Sequence, residues 1–467
     1  MLRSLSQSTP YLLERVAVLH VRRYRLHDDD RTMFRLAVPA FFALVSEPLF
    51  LLADTAVIGF LGTAPLAALS VAGAVLQTIV GLCVFLAYAT TATVARRLGA
   101  GDLRGALSDG VAGLWLALAL GVVLAACTLA AAPQVIELFG VGDDVVAPAS
   151  HYLQVSAAGI PSMLLVLAAT GVLRGLLDVR TPLVVIVAAT IANIGLDVAL
   201  VYGVGLGLVG SALGTVIAQT GAAVALVAVV IHRARQHGAA LRPAGRSVLA
   251  SASSGAPLFV RTLTLRAVLV TATAVAATLP AASLAAQQIA VTIVALLAYA
   301  LDAVAIAAQA IIGRHLGAAD IGATRRSTRR MIGWGVAGGT TAGVGLLIVA
   351  PWLPRLFTPD PDVRSAAVTA LVAIALVQPV AGIVFVLDGV LIGAGDGRYL
   401  AVAGLVTAAV YVPAALLVVS SGGGLGALWA AYGLWMLARG LTLGVRARGS
   451  AWMRTGAAPT GQAVPAS

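Results

Sequence analysis

The sequence predicts an all-α polytopic membrane protein with twelve transmembrane helices in two six-helix lobes related by an internal parallel repeat. Of its 467 residues, 60% are hydrophobic and only 10% are charged, and the mean hydropathy is +0.99. Soluble domains carry about a quarter charged residues, so this composition is typical of a chain that lies in a lipid bilayer. Long apolar runs give the number of helices, and the repeat divides them into lobes.

Apolar runs of about 20 residues are long enough to cross the hydrocarbon core as helices. Twelve such runs occur, at 33–60, 67–95, 108–131, 147–173, 182–201, 208–231, 250–277, 284–312, 328–350, 363–391, 399–420 and 425–445. The predicted organisation is a cytoplasmic tail at 1–32, a first lobe at 33–231, a cytoplasmic linker at 232–249, a second lobe at 250–446 and a cytoplasmic tail at 447–467.

The basic residues alternate between consecutive connections, and all thirty of them are Arg. Arg-rich connections lie at 96–104, 174–180, 233–246, 314–330, 398 and 446–454. The connections that alternate with them contain only Arg355 and Arg364. The positive-inside rule therefore places both termini in the cytoplasm. We expect a monomer in the bacterial inner membrane, with the lipid bilayer as its partner. The net charge of +11 reports this orientation and not a nucleic-acid partner.

An internal repeat has an offset of 218 residues. GVLRGLLDVR at 171–180 recurs as GVLIGAGDGR at 389–398, and RRLGAGD at 96–102 recurs as RHLGAAD at 314–320. At the same offset PQVIELF at 133–139 matches PWLPRLF at 351–357, and Pro161 matches Pro379. Each half holds six spans, an even number, so both halves enter the membrane with the same orientation. Such parallel repeats are found in transporters that bind substrate between the halves.

Several polar residues inside the first-half spans break the repeat. The offset pairs Glu47 with Leu265, Asp54 with Ala272, Asn193 with Tyr411, and Asp197 with Ala415. These polar groups are therefore not required by the six-helix unit itself. A charge near the centre of a membrane helix is costly, which favours a functional role, although such residues can also serve as polar contacts between helices.

Three of the polar residues lie at one depth. Asp54, Asp197 and Thr215 are each about six residues from the outer end of their span, roughly 8–10 Å at 1.5 Å per residue. Asn193 precedes Asp197 by one helical turn and shares its face. This oxygen-rich cluster suits a hard cation or a shared proton. Glu47 lies two turns below Asp54, nearer the midplane, and is the fifth candidate for coupling.

The second half carries its own charges inside predicted spans: Arg261 in the seventh, Asp302 in the eighth and Asp388 in the tenth. Arg261 and Asp302 lie at similar depth counted from the cytoplasm, so we expect a structural ion pair between them. The sequence holds no HExxH motif and no phosphate-binding Gly-rich loop, which argues against an enzyme. We expect no cofactor beyond a coupling ion, H⁺ or Na⁺.

Several ordered motifs resemble the multidrug and toxic compound extrusion family, in its DNA-damage-inducible protein F-like branch. They are LAVPAFFALVSEPLFLLADTAVIGFLG, LRGLLDVRTPL, the Asn193-to-Asp197 spacing, LDAVAIAAQAIIGRHLGAAD and FVLDGVLIGAGDGRYL, and the likeness covers about residues 33–446. The resemblance implies a V-shaped pair of lobes that exports bulky amphipathic or cationic compounds in exchange for Na⁺ or H⁺. It also implies a cation site at Asp54, Asn193, Asp197 and Thr215.

Three alternatives stay open from the sequence. A flippase for lipid-linked precursors would share a related exporter fold, but it would favour a basic central cavity, and the acids inside the spans argue against one. A membrane-embedded enzyme is the remote alternative. A passive channel does not need the two-lobe repeat.

The orientation is testable by labelling. In a background without Cys83 and Cys127, single Cys residues at 63, 204 and 422 should react with impermeant thiol reagents added outside the cell. Those at 103, 240 and 322 should react only after permeabilisation, because the Arg-rich connections face the cytoplasm. The inverse labelling pattern would contradict the predicted topology.

Overall fold

The structure is a computed structural model that describes residues 28–242 and 245–457. Residues 1–27 and 458–467 of the predicted tails, and residues 243–244 of the linker, lie outside the described residues. The first half contains α1 Asp28–Gly59, α2 Thr63–Leu82, α3 Phe85–Gly99, α4 Leu103–Glu137, α5 Asp143–Ala157, α6 Ile160–Gly175, α7 Arg180–Val198 and α8 Gly207–Gln236. The second half contains α9 Gly245–Ala276, α10 Ala281–Gly317, α11 Ile321–Val349, α12 Pro361–Gly393, α13 Gly397–Ser420 and α14 Leu425–Arg448.

The all-helical fold confirms the predicted class, and no strand occurs among the residues described. Ten helical segments are long and apolar enough to cross a membrane, and the pair α5–α6 makes an eleventh that is bent by 48°. The twelfth predicted run corresponds to α14, whose 24 residues span about 36 Å at 1.5 Å per residue. Its polar aromatic residues and Arg439 lower its hydropathy.

Two of the predicted spans are interrupted in the first lobe. The run 67–95 breaks between α2 and α3 at Cys83 and Val84. The run 147–173 breaks between α5 and α6, where Pro161 occupies the first turn of α6. Proline has no backbone N–H to continue the preceding helix and is well tolerated at a helix start, so the sequence accounts for the second break.

The glycines of the repeated motif have one packing role in both lobes. A Cβ added to Gly171 would lie 2.5 Å from the Ala87 carbonyl oxygen, and one added to Gly389 would lie 2.4 Å from that of Ala305. Each glycine therefore lets the helix that carries it, α6 or α12, contact the backbone of its neighbour, α3 or α10. The GVL motif recurs because both lobes need this close approach.

The aspartate that ends the other repeated motif caps a helix in each lobe. Asp102 accepts a hydrogen bond from the Gly105 amide at 2.7 Å, and Asp320 accepts one from the Ala323 amide at 2.7 Å. These side chains satisfy an amide that the first turn of a helix leaves without a partner. The repeated aspartate is therefore structural in both copies.

The two lobes meet backbone to backbone where α3 crosses α10. A Cβ on Gly99 would lie 2.0 Å from the carbonyl oxygen of Arg314, and a Cβ on Gly317 would lie 1.9 Å from that of Arg96. The two contacts are equivalent under the 218-residue repeat. We call this contact the seam, and the side of the molecule on which it lies the Arg-rich side.

The segment after α14 crosses the seam. The Arg96 guanidinium in the first lobe donates to the Arg454 carbonyl at 2.7 Å and to the Ala394 carbonyl at 3.1 Å. The Gly456 amide donates to the Leu316 carbonyl at 3.1 Å, and Trp452 is only 1% exposed. Residues 450–456 therefore connect both lobes on the Arg-rich side.

A second connection on that side joins the start of α1 to α11. Asp30 accepts hydrogen bonds from Arg330 at 2.6 and 3.1 Å and from the Trp334 indole at 3.1 Å. Phe34 packs edge-on against the Trp334 ring, with centroids 4.8 Å apart. The lobes are thus held together by polar as well as backbone contacts.

Substitution of the seam glycines should destabilise the fold. We expect Gly99→Ala and Gly317→Ala each to lower the free energy of unfolding by about 1–3 kcal/mol, because the new methyl group would overlap a helix backbone. Thermal unfolding in detergent measures the effect. Gly333→Ala in α11 is the control, since nothing lies within 4 Å of its added Cβ. Equal melting temperatures for all three variants would contradict the seam contact.

Candidate ion-coupling site

A cluster of buried polar side chains lies inside the first lobe, between α1, α5, α7 and α8. Its members are 0–3% exposed: Asp54, Tyr152, Asn193, Asp197, Ser211 and Thr215. The Ser211 hydroxyl donates to Asp54 Oδ1 at 2.5 Å. This hydrogen bond between α8 and α1 holds one carboxylate of the cluster.

Asn193 connects the second carboxylate to α8. With its amide oriented so that both ends are satisfied, the nitrogen donates to Asp197 Oδ2 at 3.0 Å and the oxygen accepts from the Thr215 amide at 3.1 Å. Asn193 and Asp197 lie one turn apart on α7, as their spacing predicted, so one face of α7 presents both groups to α8. The amide fixes the position of the carboxylate.

A glycine makes room for this carboxylate. A Cβ added to Gly214 would lie 2.4 Å from Asp197 Oδ1, so α8 admits the acid only because position 214 has no side chain. Immediately after Asp197, residues Ala199–Gly203 form a π-helical turn, a feature frequent at functional sites. Two local features therefore accompany Asp197: the missing side chain at Gly214 of α8, and the π-helical turn that follows it along the chain.

The cluster is rich in acceptors and carries two acidic groups. The negative charge of Asp54 acts on Asp197, and both charges act on the Tyr152 hydroxyl. The residues described contain no group of three or more His, Cys, Asp or Glu side chains that could hold a metal ion. A cation here would be held by two carboxylates and by neutral oxygens of Asn193, Ser211 and Thr215. Hard cations bind such oxygens.

Four of the five predicted coupling residues meet in this cluster, and Glu47 does not. Glu47 is exposed on α1, and its charge interacts with Arg266 of α9 and Tyr299 of α10 in the second lobe. The Arg266 guanidinium also lies against α2, since a Cβ on Gly81 would be 2.4 Å from its Nη2. Glu47 therefore faces the opposite lobe and not Asp54.

Two members of the cluster were not predicted. Ser211 lies four residues before Thr215 on α8, so its place on the same face could have been found from helical spacing. Tyr152 belongs to α5, which leads into the bent α5–α6 connection, and no sequence signal ties that tyrosine to Asp54. Its position depends on how α5 packs against α8.

The second lobe fills the equivalent place with aromatic rings. The repeat pairs Ser211 with Trp429, Gly214 with Tyr432, and Asn193 with Tyr411. The Trp429 and Tyr432 rings lie 5.1 Å apart, and the Tyr411 and Trp435 rings lie 6.1 Å apart. Aromatic packing therefore occupies the volume that holds polar oxygens in the first lobe.

The predicted pairing of Arg261 with Asp302 is wrong. Arg261 instead donates to Asp388, from Nη2 to Oδ2 at 2.8 Å and from Nε to Oδ1 at 3.4 Å, and Arg439 also bonds Asp388. The prediction compared depths counted from the helix ends, but the helices do not end at one level. Asp388 is five residues from the end of α12, whereas Arg261 is sixteen residues from the start of α9.

A pair of six-helix lobes in parallel orientation, with a buried pair of carboxylates in one lobe, is an architecture of secondary transporters. A family model described as MatE matches residues 39–199 and again residues 257–417. The chain therefore belongs to this family, which confirms the resemblance to multidrug and toxic compound extrusion proteins. The two matches begin 218 residues apart, at the offset of the repeat.

Relatives and solved structures agree with this membership. DNA damage-inducible protein F of Escherichia coli (strain K12) is 32% identical over 195 residues, which cover 42% of this chain and 42% of that protein, less than half of its length. Protein DETOXIFICATION 44, chloroplastic, of Arabidopsis thaliana is 29% identical over 376 residues, or 77% of this chain and 71% of that protein.

Two solved structures share the fold. A crystal structure of MATE in the bent conformation has a TM-score of 0.84 at 22% identity and covers 90% of this chain and 95% of that chain. An outward-facing multidrug resistance MATE family transporter has a TM-score of 0.81 at 22% identity, over 91% and 96% of the two chains. At this identity the likeness establishes the fold alone.

The corrected ion pair is testable by a double-mutant cycle. Asp388→Leu alone should cost about 3–5 kcal/mol of unfolding free energy, because it leaves two buried arginines without their carboxylate, and Arg261→Leu alone should cost less, because Arg439 still pairs with Asp388. The double variant should cost less than the sum of the two. Thermal unfolding in detergent measures the coupling, and the cycle of Arg261 with Asp302 is the comparison. Additive effects for Arg261 and Asp388 would contradict the pairing.

Proposed function

We propose that the protein is a secondary active antiporter that exports amphipathic or cationic compounds in exchange for H⁺ or Na⁺. The observation that carries this proposal is the pair of buried carboxylates, Asp54 and Asp197, which have no arginine partner among the described residues, whereas the buried Asp388 and Asp396 of the second lobe are paired with arginines. A buried carboxylate is costly in the membrane unless it is neutralised. A site whose neutralisation depends on an ion from the water phase is suited to coupling.

In the proposed mechanism a proton or Na⁺ enters the cluster from the Arg-poor side, which we assign to the cell exterior. Two close carboxylates repel each other, so the binding of a proton or cation between them removes an unfavourable interaction. Neutralisation removes the repulsion between α1 and α7, which changes how α1 packs near its internal Pro48.

This change must favour one conformation of the lobes over the other. An ion shifts an equilibrium only by its difference in affinity for the two states. Release of substrate and uptake of ion would then alternate, and opening toward the Arg-rich side requires the seam of α3 and α10 to separate. We assign that side to the cytoplasm, in the bacterial plasma membrane, and propose a monomer without further cofactor.

The names of the relatives support export over the alternatives. Proteins of Thermotoga maritima and Pseudomonas putida that match 44% and 42% of this chain are named probable multidrug resistance protein NorM. A lipid-precursor flippase stays the alternative proposal. The antiporter is preferred because Asp54 and Asp197 offer two buried carboxylates that a coupling ion can neutralise.

The coupling role of Asp54 is tested in liposomes. Asp54→Asn keeps the side-chain shape but removes the titratable charge, so the protein should insert normally while efflux driven by a Na⁺ or pH gradient falls at least tenfold. Asp197→Asn should behave likewise, and Glu47→Gln should give a milder loss because Glu47 lies outside the cluster. Efflux of a cationic dye under each gradient applied alone is the measurement.

Glu137→Gln is the matched control, since this carboxylate is exposed at the end of α4. It should leave efflux unchanged. Asp54→Asn protein that is present at normal level and retains wild-type efflux under both gradients would show that Asp54 does not couple.

A further inference from the structure

The aromatic cluster of the second lobe contains three polar groups without a hydrogen-bond partner. Tyr411 Oη, Trp429 Nε1 and Trp435 Nε1 are buried, and no partner lies within bonding distance of them in the described part of the chain. Their side chains are 0%, 5% and 4% exposed. Buried polar groups are nearly always paired, and an unpaired one is costly. Three of them in one cluster indicate that they serve a group from outside the chain.

All three groups are donors, and they adjoin a cation. Indole N–H can only donate, and the phenol can donate. The Arg439 guanidinium lies 5.0 Å from the centre of the Trp435 ring. Trp435 and Arg439 lie four residues apart on α14 and share a face of that helix, and the Tyr432 ring lies between Trp429 and Trp435, 5.1 and 5.3 Å from them.

The charges around this cluster do not balance. Arg261 and Arg439 are each less than 10% exposed, and both donate hydrogen bonds to the single carboxylate of Asp388, whereas among the described residues neither arginine forms an ion pair with Asp302. Asp388 and its two arginines together carry one net positive charge. A buried charge without a counter-charge is strongly unfavourable, so the second lobe is suited to receive one negative charge.

The same geometry argues against a cation at this place. Both oxygens of Asp388 accept hydrogen bonds from Arg261, and Oδ2 also accepts one from Arg439. No oxygen of that carboxylate is left without an arginine. The first lobe offers acceptors and negative charge, whereas the second offers donors and positive charge.

We propose that the second lobe binds the acidic group of an aromatic amphipathic compound, with the anion beside Arg439 and the ring against Tyr411 and Trp435. The ligand class is a monoanionic aromatic carboxylate or sulfonate, alone or as one end of a zwitterion. As a substrate site this rests on the proposed export function, but binding itself is measurable without transport.

Binding is tested with two probes that share one ring and differ in charge. Naphthalene-1-sulfonate and 1-naphthylmethylammonium are titrated into the purified full chain in a non-ionic detergent, and the rise in melting temperature gives the affinity. The sulfonate should bind the protein with at least tenfold higher affinity than the ammonium. Tyr411→Phe, which removes only the hydroxyl, and Trp435→Phe should each weaken sulfonate binding about tenfold, as expected for one hydrogen bond to a charged group.

Tyr399→Phe is the matched control in the same helix, because the Tyr399 hydroxyl donates to the Thr442 carbonyl at 2.7 Å. Tyr399→Phe should lower the melting temperature of the free protein without changing its affinity for the sulfonate. Tyr411→Phe should weaken sulfonate binding without lowering the melting temperature of the free protein. Equal stabilisation by both probes, or wild-type sulfonate affinity in both Tyr411→Phe and Trp435→Phe, would overturn the proposal. Loss of gradient-driven efflux bears on the antiporter proposal alone, since sulfonate binding needs no gradient.

Discussion

The fold depends on one contact, the backbone-to-backbone crossing of α3 and α10 at Gly99 and Gly317. Helices approach this closely only where a side chain is absent, and each glycine meets the carbonyl of an arginine in the opposite lobe. Two further contacts, through the segment 450–456 and the Asp30–Arg330 ion pair, connect the lobes on the same side of the molecule. These contacts hold the lobes together where they must separate if the transporter is to open toward the Arg-rich side.

One helical scaffold carries opposite chemistry in its two lobes. At Gly214 the first lobe gives up a side chain so that Asp197 can enter, whereas the second lobe places Tyr432 at the equivalent position. Two positions differ together: Asp197 and Gly214 in the first lobe correspond to Ala415 and Tyr432 in the second, so a carboxylate in one lobe is replaced by an aromatic ring in the other. The shared motifs, by contrast, are glycines and caps that the packing of either lobe requires.

The features that the sequence predicts correctly are those that depend on helical periodicity and on the 218-residue offset of the repeat. The apolar runs gave the helices, the offset gave the lobes, and the one-turn spacing of Asn193 and Asp197 predicted that they share one face of α7. Sequence reasoning did not find Tyr152, nor the partner of Arg261, because both depend on how far each helix extends and how it is rotated against its neighbours. Depth counted from helix ends placed Arg261 level with Asp302, but α9 and α12 end at different heights, and Asp388 is the nearer acid.

The reciprocal geometry of the seam bears on how the chain arose. A contact in which Gly99 meets Arg314 while Gly317 meets Arg96 is isologous, the form made by two copies of one chain about a twofold axis. Two separate six-helix chains could form the same contact as a homodimer. In a homodimer every mutation appears in both halves, so acids in one half and aromatic rings in the other could not coexist. Fusion of the halves into one polypeptide removes that restriction, and the polar cluster around Asp54 is a difference between halves that a homodimer could not carry.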